Sequence, residues 1–291
     1  MTIACCFVVP EGIVLGADST ITTVIDGKPH YLNHNQKIFE VGENSQYGMI
    51  TWGLTAFGDL SYRTLIARLA DNFISEEPQS VLDAANIWSK TVWNAYKKAF
   101  ETEINKFGRL YNDIAARHQP VPKEEQELDK TQRDELNQMN HVLSAGFCIA
   151  GYSERDRIPH AYSIEIDPSL RSQPTAVKIQ KLQHFGNDEV VSRIIGVFSD
   201  EIISAIKESG YWTGDQKDIE QVLATLKLER PDMTMRDAID FVHFTIYSTI
   251  KATKFSVRDK DCGGPIELAV ITTDRKFRWV NHKTWDSAIS D

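Results

Sequence analysis

The first seventeen residues constrain the fold more than any other stretch. Residues 3–9 and 13–17 are two apolar, largely β-branched runs, and only Pro10-Glu11-Gly12 separates them. Such runs on either side of a Pro/Gly turn read as a tight hairpin. Strands without a polar face must be covered on both sides, which places this pair inside a layered structure. At roughly 100 to 200 residues per domain, 291 residues make one large domain or two small ones. A chain of that length removes roughly three quarters of its unfolded surface from water, so no metal or disulfide staple is required.

Beyond the hairpin, residues 37–41 and 47–52 are further strand candidates around Gly42-Glu43-Asn44-Ser45. The period then changes: Leu60, Leu65, Ile66, Leu69 and Phe73 recur at helical steps. A second helix starts at Ser80, a suitable N-cap, and runs to about residue 118 with a break expected near Gly108. Residues 123–139 are almost wholly polar and read as a solvated helix or an excursion, part of a helical, charged insertion at about 101–140. The β signal returns at 145–152 and 159–166, helical patterns occupy 188–208, 216–227 and 234–252, and a last hairpin spans 265–272 and 277–280. Strands, helices, strands, helices, strands, with no Pro/Ser-rich linker, describe one α+β domain over 1–291 in which helices cover antiparallel sheets.

The chemistry follows from the hairpin. A turn centred on Pro10 and Glu11 makes Thr2 and Asp18 close neighbours. Removal of Met1 would leave a free α-amine on Thr2, so that one residue supplies both nucleophile and base. An α-amine has an unperturbed pKa of about 7.7 to 8.0 and takes a hydroxyl proton near neutral pH. A buried Lys–Asp pair beside it would hold a positive field against the hydroxyl, and Lys37 is the candidate cation. Alone, each residue is ordinary: Thr after Met is common, Asp at a strand end is a turn former, and Lys before a strand is a solvated edge charge.

Together these residues resemble a family. The stretch from Thr2 through Gly12-Ile13-Val14-Leu15-Gly16-Ala17-Asp18-Ser19 to Lys37-Ile38-Phe39-Glu40-Val41 resembles the N-terminal half of proteasome β-subunits and their bacterial relatives, which are N-terminal nucleophile (Ntn) hydrolases. Counted from Thr2, Asp18 lands on the family's aspartate without a gap and Lys37 on its lysine after three inserted residues. Gly48-Met49-Ile50-Thr51-Trp52-Gly53 with Asp59 resembles the family's strand and glycine turn, Ala150-Gly151-Tyr152 and Pro159-His160-Ala161-Tyr162 its central hairpin, and Asp259-Lys260-Asp261-Cys262-Gly263-Gly264 its Asp-x-x-Ser-Gly-Gly strand entry.

What the resemblance implies is specific. The fold would be a four-layer αββα sandwich, and the activity threonine-type amide hydrolysis, most simply of peptide bonds. Thr2 would be the nucleophile, Asp18 and Lys37 its electrostatic partners, the Gly53 N–H the oxyanion donor, and Asp259 the residue orienting the Thr2 amine. Cys262 would stand at a serine position. Thr22 would bind substrate backbone and Thr51 would line the pocket before the scissile bond. Two departures concern activation: the family's Gly-Ser-Gly turn reads here as Gly186-Asn187-Asp188, so Asn187 offers only amide hydrogen bonds, and Cys262 bonds more weakly than serine. With no propeptide ahead of Thr2, activation would depend on Met1 removal alone. The resemblance also implies a homo-oligomeric ring or spiral acting on peptides or unfolded protein, with a separate ATPase as a possible unfoldase. A small-molecule amidase of the same fold and an inactive scaffold are the alternatives.

Composition narrows the partners. A net charge of −9 and a pI near 5.4 argue against nucleic-acid and anionic-membrane binding, which need clustered Lys and Arg. Nothing approaches 18 uninterrupted apolar residues, and the N-terminus lacks the basic region of a secretory signal, so a cytoplasmic protein is expected. The four cysteines show no metal spacing and read as buried free thiols, and His30 and His34 as exposed loop residues. Neither a phosphate-binding glycine loop nor His-Glu-x-x-His occurs, and no cofactor is expected.

Overall fold

The computed structural model describes residues 2–25, 28–117, 126–196, 200–225, 232–256 and 262–283. Strands β1 (Ile3–Val9), β2 (Gly12–Ala17), β3 (Ile21–Ile25), β4 (Lys28–Leu32), β5 (Ile38–Glu40), β6 (Tyr47–Gly53), β7 (Ala56–Phe57) and β8 (Leu60–Ser61) come first. Helices α1 (Tyr62–Ser75), α2 (Val81–Ala99), α3 (Glu101–Ala115) and α4 (Gln126–Leu143) lead into β9 (Ala145–Gly151), β10 (His160–Ile166), β11 (Val177–Ile179) and β12 (Leu182–Gly186). Helices α5 (Glu189–Gly196), α6 (Asp200–Glu208), α7 (Gln216–Ala224) and α8 (Met235–Phe255) precede β13 (Glu267–Thr272) and β14 (Lys276–Asn281). The architecture is mixed α and β with antiparallel sheets, in two compact units: residues 1–38, 181–270 and 278–291, and residues 39–180 and 271–277.

The first unit carries a five-stranded sheet in the order β12-β1-β2-β13-β14. Its hairpin closes as the apolar runs require, Val9 opposite Gly12 and Ala4 opposite Ala17. Ile3, Cys5, Phe7, Val9 and Val14 pack with Ala238, Val242 and Ile246 of α8. On the alternate positions Ala4, Cys6, Ile13, Leu15 and Ala17 are also fully buried, so these strands have no solvent face. The helix comes so close that a Cβ on Gly16 would stand 2.4 Å from Val242 Cγ1.

The second unit holds the sheet β11-β10-β9-β6-β5. Met49, Phe147, Ile149, Tyr162 and Ile164 face Leu65, Ile66 and Leu69 of α1 and Trp88, Val92 and Tyr96 of α2 in one cluster, with Trp88 edge-on to Phe147 at 5.3 Å. Ser80 caps α2 by accepting from the Asp83 N–H, as its sequence suggests, and Asp83 in the first turn and Lys97 and Lys98 in the last match the helix dipole.

Two readings of the sequence need correction. The long helix breaks at Phe100, not near Gly108, which lies inside α3. Phe100 leaves helical geometry and its ring packs against Tyr96 at 5.3 Å and Phe57 at 6.1 Å, a tertiary contact that local periodicity does not encode. Strands β3, β4, β11 and β12 went unread because they are short and carry polar residues such as Lys28, Lys178 and Gln183. The polar stretch after residue 125 is helical: α4 lies along α3, with Lys106 paired to Glu135 at 2.7 Å and Asp129 held by Arg117 and Arg133 at 2.9 and 2.6 Å.

Candidate active site

Asp18 sits just past the end of β2, and the hairpin register alone puts it there. Its N–H donates to Ile3 O at 3.0 Å, and the Ile3 N–H donates back to Asp18 Oδ1 at 3.1 Å. The side chain is fully buried, and a buried carboxylate needs partners. Oδ1 also accepts from Lys37 Nζ at 2.6 Å, while Oδ2 accepts from the N–H groups of Thr20 at 3.2 Å and Gly263 at 3.0 Å.

Lys37 enters the first unit immediately before β5, only 3% exposed, and its Nζ donates a second bond to Thr20 O at 2.7 Å. Burial pulls the Lys37 ammonium below its ordinary range, and the negative charge of Asp18, with smaller contributions from Cys262 and Glu267, works against that fall. A caged cation of this kind projects a field without moving its charge about.

Thr2 lies one residue from this pair and is buried. Its carbonyl accepts from the Asn187 N–H at 2.7 Å, just beyond the Ile3–Gly186 rung between β1 and β12. Gly186 has φ +80, and a Cβ there would meet Thr2 O at 1.9 Å, so glycine is required for the β12 end to hold Thr2. Asn187 therefore contacts the expected nucleophile through its backbone rather than its amide side chain.

The remaining expected site residues fall in several places. Cys262 is buried, with its Sγ 3.5 Å from Thr253 Oγ1 on α8; the direct contact to Asp18 from this segment comes from the Gly263 backbone. Thr22 lies on β3 opposite Tyr31, its Oγ1 buried with no hydrogen-bond partner among the described residues. Thr51 and Gly53 belong to the second unit at the end of β6, opposite Phe147 and Ala145. Gly53 has φ +78, with room for no side chain against Ser144 O at 2.3 Å from an added Cβ. Asp259 lies outside the described residues.

Sequence reasoning missed Glu267 and Lys283. Glu267 is a fully buried acid whose partners are His282 and Lys283, and Lys283 reaches Ser19 and Asn35, near the two ends of the stretch from Asp18 to Lys37. The one available signal was the lone carboxylate at the head of the apolar run 268–271, since an unpaired acid is almost never fully buried.

All four cysteines are buried thiols outside any disulfide; His30 and His34 are exposed, with His30 on β4 rather than in a loop; and among the described residues no group of three His, Cys, Asp or Glu could hold a metal. No helix among them is long and apolar enough to cross a membrane.

No family model and no curated protein matches the sequence. Solved structures do. Over all of this chain and 94% of the other, the fold is similar to that of an Anbu (Gly-1) mutant from Hyphomicrobium sp. strain MC1, at TM-score 0.51 and 12% identity. Over 97% of this chain and 88% of the other it is similar to Anbu, described as an ancestral beta-subunit, from Yersinia bercovieri, at TM-score 0.51 and 10% identity. The likeness is one of fold, and it runs through the whole chain.

Proposed function

We propose that the chain is a threonine-type N-terminal nucleophile hydrolase that cleaves amide bonds in peptides or unfolded protein, with Thr2 as the first residue of its active form. One observation carries the reading: a buried Lys37–Asp18 pair is hydrogen-bonded to the backbone of Ile3, immediately beside a buried threonine. A structural role alone gives little reason for such a pair, because desolvation offsets most of its attraction.

In this reading Thr2 Oγ attacks the substrate carbonyl while the Thr2 α-amine, titrating near neutral pH, takes the hydroxyl proton. The Lys37 ammonium favours the developing alkoxide, and Asp18 holds that ammonium in place. The amine's proton passes to the departing amine, and water then releases the acyl group from Oγ. The similar fold of a protein described as an ancestral beta-subunit supports a homo-oligomeric ring or spiral, which sedimentation of the purified chain tests. An ATPase partner in the cytoplasm belongs to the same proposal.

The test of the chemistry is intact and peptide mass spectrometry before and after a β-lactone or epoxyketone that traps N-terminal threonine. The expected result is one adduct on Thr2, absent from Thr2→Ala. A protein that begins at Thr2, is folded, and takes no adduct from either trap sinks the reading. Peptide against acyl-amide substrate panels then separate a peptidase from a small-molecule amidase.

A further inference from the structure

A second charged cluster, a buried acid with two half-buried bases, stands in the first unit beside the Asp18–Lys37 pair. The Glu267 carboxylate, at the head of β13, is fully buried; His282 Nδ1 lies 2.8 Å from its Oε1 and Lys283 Nζ lies 3.4 Å from its Oε2. Neither contact meets hydrogen-bond geometry, so both are ion-pair contacts, the His282 one only when its ring is protonated. The same ammonium donates to Asn35 O at 2.6 Å and reaches Ser19 Oγ at 3.4 Å. Ser19 follows Asp18, Asn35 precedes Lys37 by two residues, and the Asn35 N–H donates to Ser19 O at 3.0 Å. Lys283 thus fastens both ends of the stretch that carries the Asp18–Lys37 pair.

Stability does not account for this arrangement, since a packed apolar pair serves about as well as a buried ion pair. We propose that Glu267 and Lys283 are positioning residues for Thr2 chemistry: Lys283 pins Ser19 and Asn35, setting the spacing of Asp18 and Lys37, and Glu267 supplies a second negative charge beside Lys37. The catalytic meaning rests on the Thr2 reading; the positioning part stands on the Lys283 contacts to Ser19, Asn35 and Glu267. Lys37 donates to Asp18 after β2 and to the Thr20 carbonyl, and the charges acting on it from further off are those of Cys262 ahead of β13, Glu267 on β13 and the like-charged Lys283. Those facing Glu267 are His282, Lys283 and Lys37, and burial depresses Lys283 while Glu267 opposes the fall.

The experiment uses the full chain with 13C-labelled lysine side chains, following the Lys37 and Lys283 titrations by NMR alongside the pH dependence of the β-lactone reaction at Thr2. Glu267→Gln is expected to lower the Lys37 titration, and the alkaline limb of the trapping rate moves down with it. Lys283→Met, which also lowers the melting temperature because Glu267 loses its cation, is expected to slow trapping by about tenfold in protein that is still folded, and Lys283→Arg to restore most of the rate. A Lys37 titration that stays put in folded Glu267→Gln overturns the proposal, as does a Lys283→Met protein that reacts like the wild type. Failure of the wild-type chain to react at all counts against the hydrolase reading instead, and the NMR titration still decides whether Glu267 acts on Lys37.

Discussion

Each oxygen of the Asp18 carboxylate holds two donors, Ile3 N–H and Lys37 Nζ on one, Thr20 N–H and Gly263 N–H on the other. No water is needed to complete that shell, so the side chain is specified by geometry as well as by charge. Asp18→Asn keeps the shape, cannot satisfy four donors, and leaves the Lys37 ammonium buried without its anion. The expected cost is about 3 to 5 kcal/mol at neutral pH, read from urea denaturation. The pH dependence has a definite sign. Lys37 titrates lower in the folded chain than in the unfolded one, more so in the variant, so between those two values the unfolded chain binds the extra proton and stability rises with pH. The deficit of Asp18→Asn is therefore expected to shrink as pH climbs toward about 10, where the unfolded lysine also loses its charge. A deficit constant from pH 7 to 10 would show that Lys37 is not the group left exposed to the loss.

At the level of elements, the approach of α8 to the β1–β2 hairpin is what covers the face of the first sheet carrying Ile3, Cys5, Phe7 and Val9. That approach depends on Gly16, where an added Cβ would stand 2.4 Å from Val242 Cγ1 and 2.6 Å from Ile246 Cδ1. Gly16→Ala is expected to destabilise by about 1 to 3 kcal/mol through overpacking. Combining it with Val242→Ala should return part of that loss in a double-mutant cycle, because the two changes share one contact. Additive effects would mean that the helix shifts as a body instead. The hairpin and its register were legible because a two-residue turn between two apolar runs admits one pairing. The break at Phe100 was not, because an aromatic contact with Phe57 from a distant strand decides it. For the same reason the short polar strands β3, β4, β11 and β12 escaped notice, as pairing partners rather than local composition make them strands.

For the molecule as a whole, each unit has its own sheet, its own helical cover and its own apolar cluster. The second unit sets an alkaline limit on the fold. Burial pushes Tyr47 up to about 12 and raises Tyr62 and Tyr96 as well, whereas an unfolded tyrosine ionises near 10. Above about pH 10 the unfolded chain has released protons that the folded chain retains, so stability falls with pH there, opposite in sign to the lysines. Tyr62 Oη is buried without a hydrogen-bond partner among the described residues, so Tyr62→Phe is expected to leave neutral-pH stability within about 1 kcal/mol and to flatten the alkaline fall. Urea midpoints between pH 7 and 11.5 check both parts; an equally steep fall in the variant would remove Tyr62 from the cause.

The amino-acid order by itself determined the opening hairpin, the nearness of Asp18 to Thr2, the capped start of α2 and the closing hairpin. Each follows from residues adjacent in the chain or joined by a short turn. Only the tertiary structure decided that Lys37 is buried on Asp18, that Gly186 and Asn187 hold Thr2 by the backbone, and that Glu267 and Lys283 stand beside them. Those contacts join residues far apart in sequence, and burial in a shared core turns their ordinary charges into partners.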